Sequence, residues 1–217
     1  AKDLSILARA LIRDFPEHYK VYKEKYFSYN DIRQANRNSL LWRDDAVDGM
    51  KTGHTQAAGF CLVASAEKKE LRLISVVMGA TSERSRSTES QKLINYGFRY
   101  FESVKLYDGL ESLRRVKVWG GLHESLDVGI EAPARLTIPT GARGALAAEV
   151  TLDPVIKAPV SQGQTLGLLR ISLEGETLLE RPVVALNGVD EAGLVSSLID
   201  EVSLFFLSLF SGDPLAL

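Results

Sequence analysis

Val47-Asp48-Gly49-Met50-Lys51-Thr52-Gly53-His54-Thr55 is the stretch from which the fold is read. Residues 60–66 and 71–78, just beyond it, are rich in Val, Ile, Leu and Phe. They are separated by Glu67-Lys68-Lys69-Glu70, which predicts a β-hairpin with a charged four-residue tip. Gly49 to Gly53 should then form a third strand, or the end of one, ahead of that hairpin.

On the N-terminal side, Leu4, Leu7, Ala8, Leu11, Ile12 and Phe15 repeat with helical period, and Pro16 follows. This spacing predicts an amphipathic helix that stops at the proline. Residues 19–27 are rich in Tyr and Lys and read as extended or irregular. The polar run at 30–38 reads as a solvated loop leading to Trp42. On the C-terminal side, residues 81–86 read as a polar loop. Thr88 and Gln91 resemble a capping box opening a helix whose face carries Leu93, Ile94, Gly97, Phe98 and Phe101. Residues 1–107 are thus an α/β unit, helices on a sheet.

The texture changes near residue 108. Short alternating runs such as Leu169-Arg170-Ile171-Ser172-Leu173 are punctuated by Gly-Gly and Glu-Gly turns and scattered prolines. Strands at this spacing predict a small all-β sandwich over 108–190. Within 191–217, Val195, Leu198, Ile199, Val202, Phe205, Phe206 and Leu209 line one helical face. That amphipathic tail either packs on a protein surface or lies in a membrane interface.

Composition narrows the function. A 45% hydrophobic, 25% charged chain of 217 residues can bury a core, and its net charge of −2 without a basic stripe argues against nucleic acid. The single cysteine, Cys61, excludes an internal disulfide framework and a multi-cysteine metal site, so neither metal nor cofactor is expected. No apolar run is long enough to span a bilayer. The opening Ala1-Lys2-Asp3-Leu4 reads as a mature or truncated product.

The nine-residue word, together with Ala10-Leu11-Ile12-Arg13-Asp14, Ile32-Arg33-Gln34, Asn36-Arg37-Asn38, Leu40-Leu41-Trp42, Leu62-Val63-Ala64-Ser65-Ala66 and Arg72-Leu73-Ile74-Ser75, resembles the low-molecular-mass penicillin-binding proteins. These are serine D-alanyl-D-alanine carboxypeptidases with a transpeptidase-like α/β domain. The resemblance runs along essentially the whole chain. In penicillin-recognising enzymes a Lys-Thr-Gly strand forms one wall of the active site. The resemblance implies catalytic roles for Lys51 and His54, the latter through its backbone N–H in an oxyanion hole. It implies substrate-binding roles for Lys51, Thr52, Gly53, Arg37 and Arg86, although either arginine also reads as a plain exposed cation.

The same resemblance implies peptidoglycan pentapeptide stems as substrate, β-lactams as covalent inhibitors, and a periplasmic enzyme held peripherally on the bacterial inner membrane. Its nucleophile motif S-x-x-K and second motif S-x-N are expected upstream of this chain. Ser65-Ala66-Glu67-Lys68 and Ser28-Tyr29-Asn30 imitate them at the wrong places. The alternatives are an endopeptidase or transpeptidase of the same family, and a non-catalytic membrane-bound scaffold or partner-binding module.

Overall fold

The computed structural model describes residues 1–193, and the amphipathic tail expected beyond them lies outside the described residues. Two compact units divide between Ser103 and Val104.

The first unit begins with α1 (Lys2–Asp14), as the apolar stripe predicts, and α2 (Pro16–Tyr19). A 3-10 turn at Lys20–Lys23 continues it, so part of the stretch expected to be extended or irregular is helical. Pro16 sits at the first position of α2, where its missing N–H costs nothing. The polar run is also more ordered than a solvated loop. β1 (Tyr26–Tyr29) and β2 (Ile32–Ala35) pair antiparallel around Asn30 and Asp31, both with positive φ. Asn and Asp tolerate that left-handed turn better than other non-glycine residues.

The central sheet has the order β3-β4-β5, formed by β3 (Val47–Thr55), β4 (Gly59–Lys68) and β5 (Leu71–Ala80). The expected hairpin is therefore present, with a tighter tip: Lys69 and Glu70 alone turn the chain, both at positive φ. α3 (Glu83–Tyr100) packs on one face, where Leu62, Ala64 and Ala66 meet Ile94, Leu40 and Leu41. It starts earlier than the Thr88 capping box implied. Ser82 is the N-cap and accepts from the Ser85 backbone N–H, so most of the expected loop at 81–86 is helix. α1 covers the other face through Ala8, Leu11 and Ile12, against Met50, Val63 and Ile74.

In the second unit β7 (Ser112–Lys117), β8 (Ser125–Gly129), β10 (Leu146–Leu152), β11 (Thr165–Leu173) and β12 (Glu176–Ala185) form a five-stranded sheet, order β10-β11-β12-β8-β7. A two-stranded sheet pairs β6 (Phe101–Tyr107), which crosses the boundary, with β9 (Ala134–Pro139). Period-two burial on β9 turns Ala134, Leu136 and Ile138 inward to share a core with Val116, Val128, Leu169 and Ile171. The result is the small β-sandwich read from the alternating runs. Among the described residues, no helix is long and apolar enough to cross a membrane.

Candidate active site

β3 lies at an edge of the three-stranded sheet. Its first half is buried and its second half, from Lys51 onward, is open: Lys51, Gly53 and His54 are exposed and Thr52 is half-buried. Register places Lys51 opposite Val63, Thr52 opposite Leu62, Gly53 opposite Cys61 and His54 opposite Phe60. The Lys51 ammonium donates to the Thr52 carbonyl and stands at the surface of the strand. A Cβ built on Gly53 would meet only the Cys61 Cβ, at 4.0 Å, so a bound chain can approach the strand closely there. The His54 ring lies against Phe60, with centroids 4.0 Å apart.

The two arginines occupy different settings. Arg37 is exposed, on the short loop between β2 and the 3-10 turn Ser39–Trp42. Arg86 is only 2% exposed, on the first turns of α3. Its guanidinium donates to the carbonyl oxygens of Gly53 and Arg37, each at 3.4 Å, and to Glu83 at 3.2 Å. It also lies 5.7 Å from the centre of the Phe60 ring. Arg86 thus joins the Lys-Thr-Gly strand and the Arg37 loop from beneath, and its Nε meets no hydrogen-bond acceptor.

Sequence reasoning missed the residues that brace the start of β3. Asn38, 1% exposed, donates from Nδ2 to the Gly49 carbonyl at 2.8 Å. On the α1 face, the Tyr19 hydroxyl donates to Asp48 at 2.9 Å. Arg72 donates to Asp48 at 2.7 Å and to Ser65 at 2.8 Å, and it also pairs with Glu67. Burial pushes the Tyr19 hydroxyl well above its ordinary value; Ser65 opposes that shift and the Asp48 charge adds to it. Burial works against the Arg72 charge, yet Asp48 and Glu67 outweigh it and hold the guanidinium above its usual range. Asn38 lay within the polar run, and buried asparagines carry no periodicity by which to find them.

Both imitation motifs fail on geometry. Ser65 and Lys68 are three apart on β4, so their side chains leave opposite faces; Ser65 is buried and Lys68 exposed. Ser28 and Asn30 sit on the exposed β1–β2 hairpin. Among the described residues, no helical serine is followed three residues later by a lysine. No cluster of three His, Cys, Asp or Glu among them is arranged to hold a metal.

An apolar cavity of about 330 Å³ adjoins the Lys-Thr-Gly strand, lined by Leu4, Leu7 and Leu11 of α1 and by Met50 and Met78. A larger one of about 650 Å³ lies at the far end of the sheet, beside Asp44, Lys92 and Tyr96, away from the Lys-Thr-Gly word.

Residues 1–82 match the D-alanyl-D-alanine carboxypeptidase family, and residues 101–191 match the penicillin-binding protein 5 C-terminal domain. The chain carries a segment of that carboxypeptidase family joined to that C-terminal domain. It is 41% identical over 208 residues to D-alanyl-D-alanine carboxypeptidase DacA of Escherichia coli strain K12, covering 95% of this chain and 52% of that protein. DacC of the same strain is 42% identical over the same shares. Penicillin-binding protein 5 from Haemophilus influenzae superposes with a TM-score of 0.79 at 40% identity, over 88% of this chain and 56% of that one. The chain thus has the penicillin-binding protein fold with its C-terminal β domain, and it spans about half the length of the curated carboxypeptidases it matches.

Proposed function

We propose that the protein containing this chain is a serine D-alanyl-D-alanine carboxypeptidase that trims peptidoglycan stem pentapeptides and is acylated by β-lactams. The observation that carries this reading is the Lys51-Thr52-Gly53-His54 word on the open half of an edge strand, with Arg37 on a neighbouring loop joined to that strand through Arg86.

The chemistry follows from the substrate's shape. A peptide ending in a D-alanine carboxylate needs cations and a hydroxyl donor, which Lys51, Arg37 and Thr52 provide; Arg86 adds positive charge from below. Gly53 leaves room for the peptide to lie along the strand, as in strand addition at a sheet edge. The serine, expected from an upstream segment, attacks the carbonyl of the penultimate D-alanine, and its proton passes to the departing amine. The terminal D-alanine leaves, and water then hydrolyses the serine ester to restore the hydroxyl. Lys51 sits beside that serine, where its charge favours the reactive state of the proton relay. The His54 backbone N–H supports the developing oxyanion. In a β-lactam the same attack opens the ring, and the product stays attached.

Residues 194–217 carry an apolar stripe but no Lys or Arg. This supports a periplasmic enzyme resting on the membrane surface through Phe205, Phe206, Leu209 and Phe210, without help from anionic headgroups.

The test is D-alanine release and penicilloyl adduct formation by the complete protein and by its Lys51→Ala variant. The variant should lose at least ~10²-fold in both rates, the scale of removing one positioned polar group, with an unchanged melting temperature. Acylation of the variant at the parental rate would remove Lys51 from the site. A complete protein that releases no D-alanine would refute the activity.

A further inference from the structure

We infer that Asn38, with Arg86 as a second anchor, is a positioning residue that fixes Arg37 relative to the Lys51-Thr52-Gly53 wall. The inference rests on the carboxypeptidase reading and adds to it how the exposed cation is held in place.

Arg37 itself is an exposed, long side chain, so its reach depends on where its backbone is held. Both neighbours are pinned. Asn36 donates from Nδ2 to the carbonyls of Glu24, at 3.0 Å, and Tyr22, at 3.3 Å, while its Oδ1 accepts from the Asn38 backbone N–H at 3.0 Å. Asn38 turns inward and uses both ends of its amide. Nδ2 donates to Gly49 at 2.8 Å, and Oδ1 accepts from the Leu40 N–H at 3.2 Å, capping the 3-10 turn that follows. Between them, the Arg37 carbonyl accepts from Arg86.

The targets on β3 give the arrangement its meaning. Asn38 holds Gly49, two residues before Lys51, and Arg86 holds Gly53, two residues after it. The loop is therefore joined to the strand on both sides of Lys51. The Asn38 bond is the shorter and is fully buried; the Arg86 contacts are longer but carry a charge. Only a side-chain amide supplies a donor and an acceptor at this length. Aspartate would set a carboxylate oxygen against the Gly49 carbonyl. A loop of this kind matters because small displacements of a positioning group are costly to catalysis.

The test is a double-mutant cycle on D-alanine release by the complete protein, with Arg37→Ala, Asn38→Ala and the pair. Asn38→Ala should lower kcat/KM by about 10–100-fold, the scale for roughly 1 Å of misplacement. In the Arg37→Ala background the same change should cost no more than about twofold, because residues that act through one another are not additive. Losses that multiply, or an Asn38→Ala protein as active as the parent, would overturn the inference. Should Asn38→Ala fail to fold, Arg86→Lys, which keeps the charge but loses the fork, enters the same cycle with the same criterion.

Hydrogen exchange gives an answer independent of activity. Asn38→Ala, or Arg86→Lys in its place, should speed exchange in residues 36–42 and 49–53 ahead of the rest of the sheet. Unchanged exchange there refutes the tether even in an active enzyme. An inactive parent protein, by contrast, refutes the carboxypeptidase reading and leaves the exchange result to decide the tether.

Discussion

The two units differ in how they treat their apolar surface. The second gathers one continuous core, running from Val104 through Leu126, Ile138 and Leu169 to Val189. The first splits its buried residues into two smaller clusters, one on each face of the β3-β4-β5 sheet. Among the described residues, all the exposed large apolar side chains except Leu110, Leu122 and Val155 belong to the first unit. Leu7 is 65% exposed on α1, and Met78 is 53% exposed on β5. The unit with the candidate chemistry is thus the one with bare apolar faces, and the unit without it is closed on itself. Packing and chemistry are divided between the halves of this chain.

That contrast can be challenged directly. In the second unit, Leu169→Ala should cost about 2–5 kcal/mol, since a fully buried leucine leaves a cavity on truncation. In the first unit, Leu7→Ala should stay within about 0.5 kcal/mol, as an exposed side chain with few packed neighbours does. Denaturant melts of the two variants measure both. A Leu7→Ala cost approaching that of Leu169→Ala would mean that the α1 face is covered in solution, and the contrast would fall.

A second comparison separates the units by pH. The Tyr19 hydroxyl is held above its ordinary value by burial in the first unit. A group whose folded value is raised gives stability that is complete below its unfolded value, about pH 10 for tyrosine. That stability is lost as pH climbs toward the folded value. Unfolding of the first unit should therefore become easier from about pH 10 upward, and Tyr19→Phe should flatten this alkaline limb. At neutral pH the same substitution should cost about 1–2 kcal/mol for the lost bond to Asp48. Melts followed between neutral pH and pH 11 check both; an alkaline limb unchanged in the variant would assign it to another group.

The smallest effect concerns the tail. The intact chain should sediment with vesicles more than one ending at Gly193, and the difference should persist or grow at high salt. The tail sequence holds Asp200 and Glu201 but no Lys or Arg, so salt screens repulsion rather than attraction. Equal sedimentation of the two would make the tail a packing segment.

How far the sequence could be read depended on whether burial followed a period. α1, the β4–β5 hairpin and the β-sandwich all announce themselves by apolar repeats or runs. α3 was read several residues short because its opening turns bury Arg86, Ser87 and Ser90, polar residues that break the stripe. The β1–β2 hairpin was missed because both its strands are exposed throughout; the Asn30-Asp31 pair was the signal available. Within the site, the word from Lys51 to His54 was legible as a motif. The buried amide of Asn38 and the Tyr19–Asp48–Arg72 group were not, since their roles arise only when residues far apart in sequence meet.

One close approach has a bearing on which substitutions this lineage can accept. A Cβ built on Gly49 would stand 2.4 Å from the Tyr19 hydroxyl and 3.1 Å from its ring. Position 49 cannot enlarge by itself, because any side chain there meets the tyrosine, whereas position 19 can shrink with glycine still at 49. Among relatives, alanine or serine at 49 should therefore appear only where a side chain without the tyrosine hydroxyl has already taken position 19.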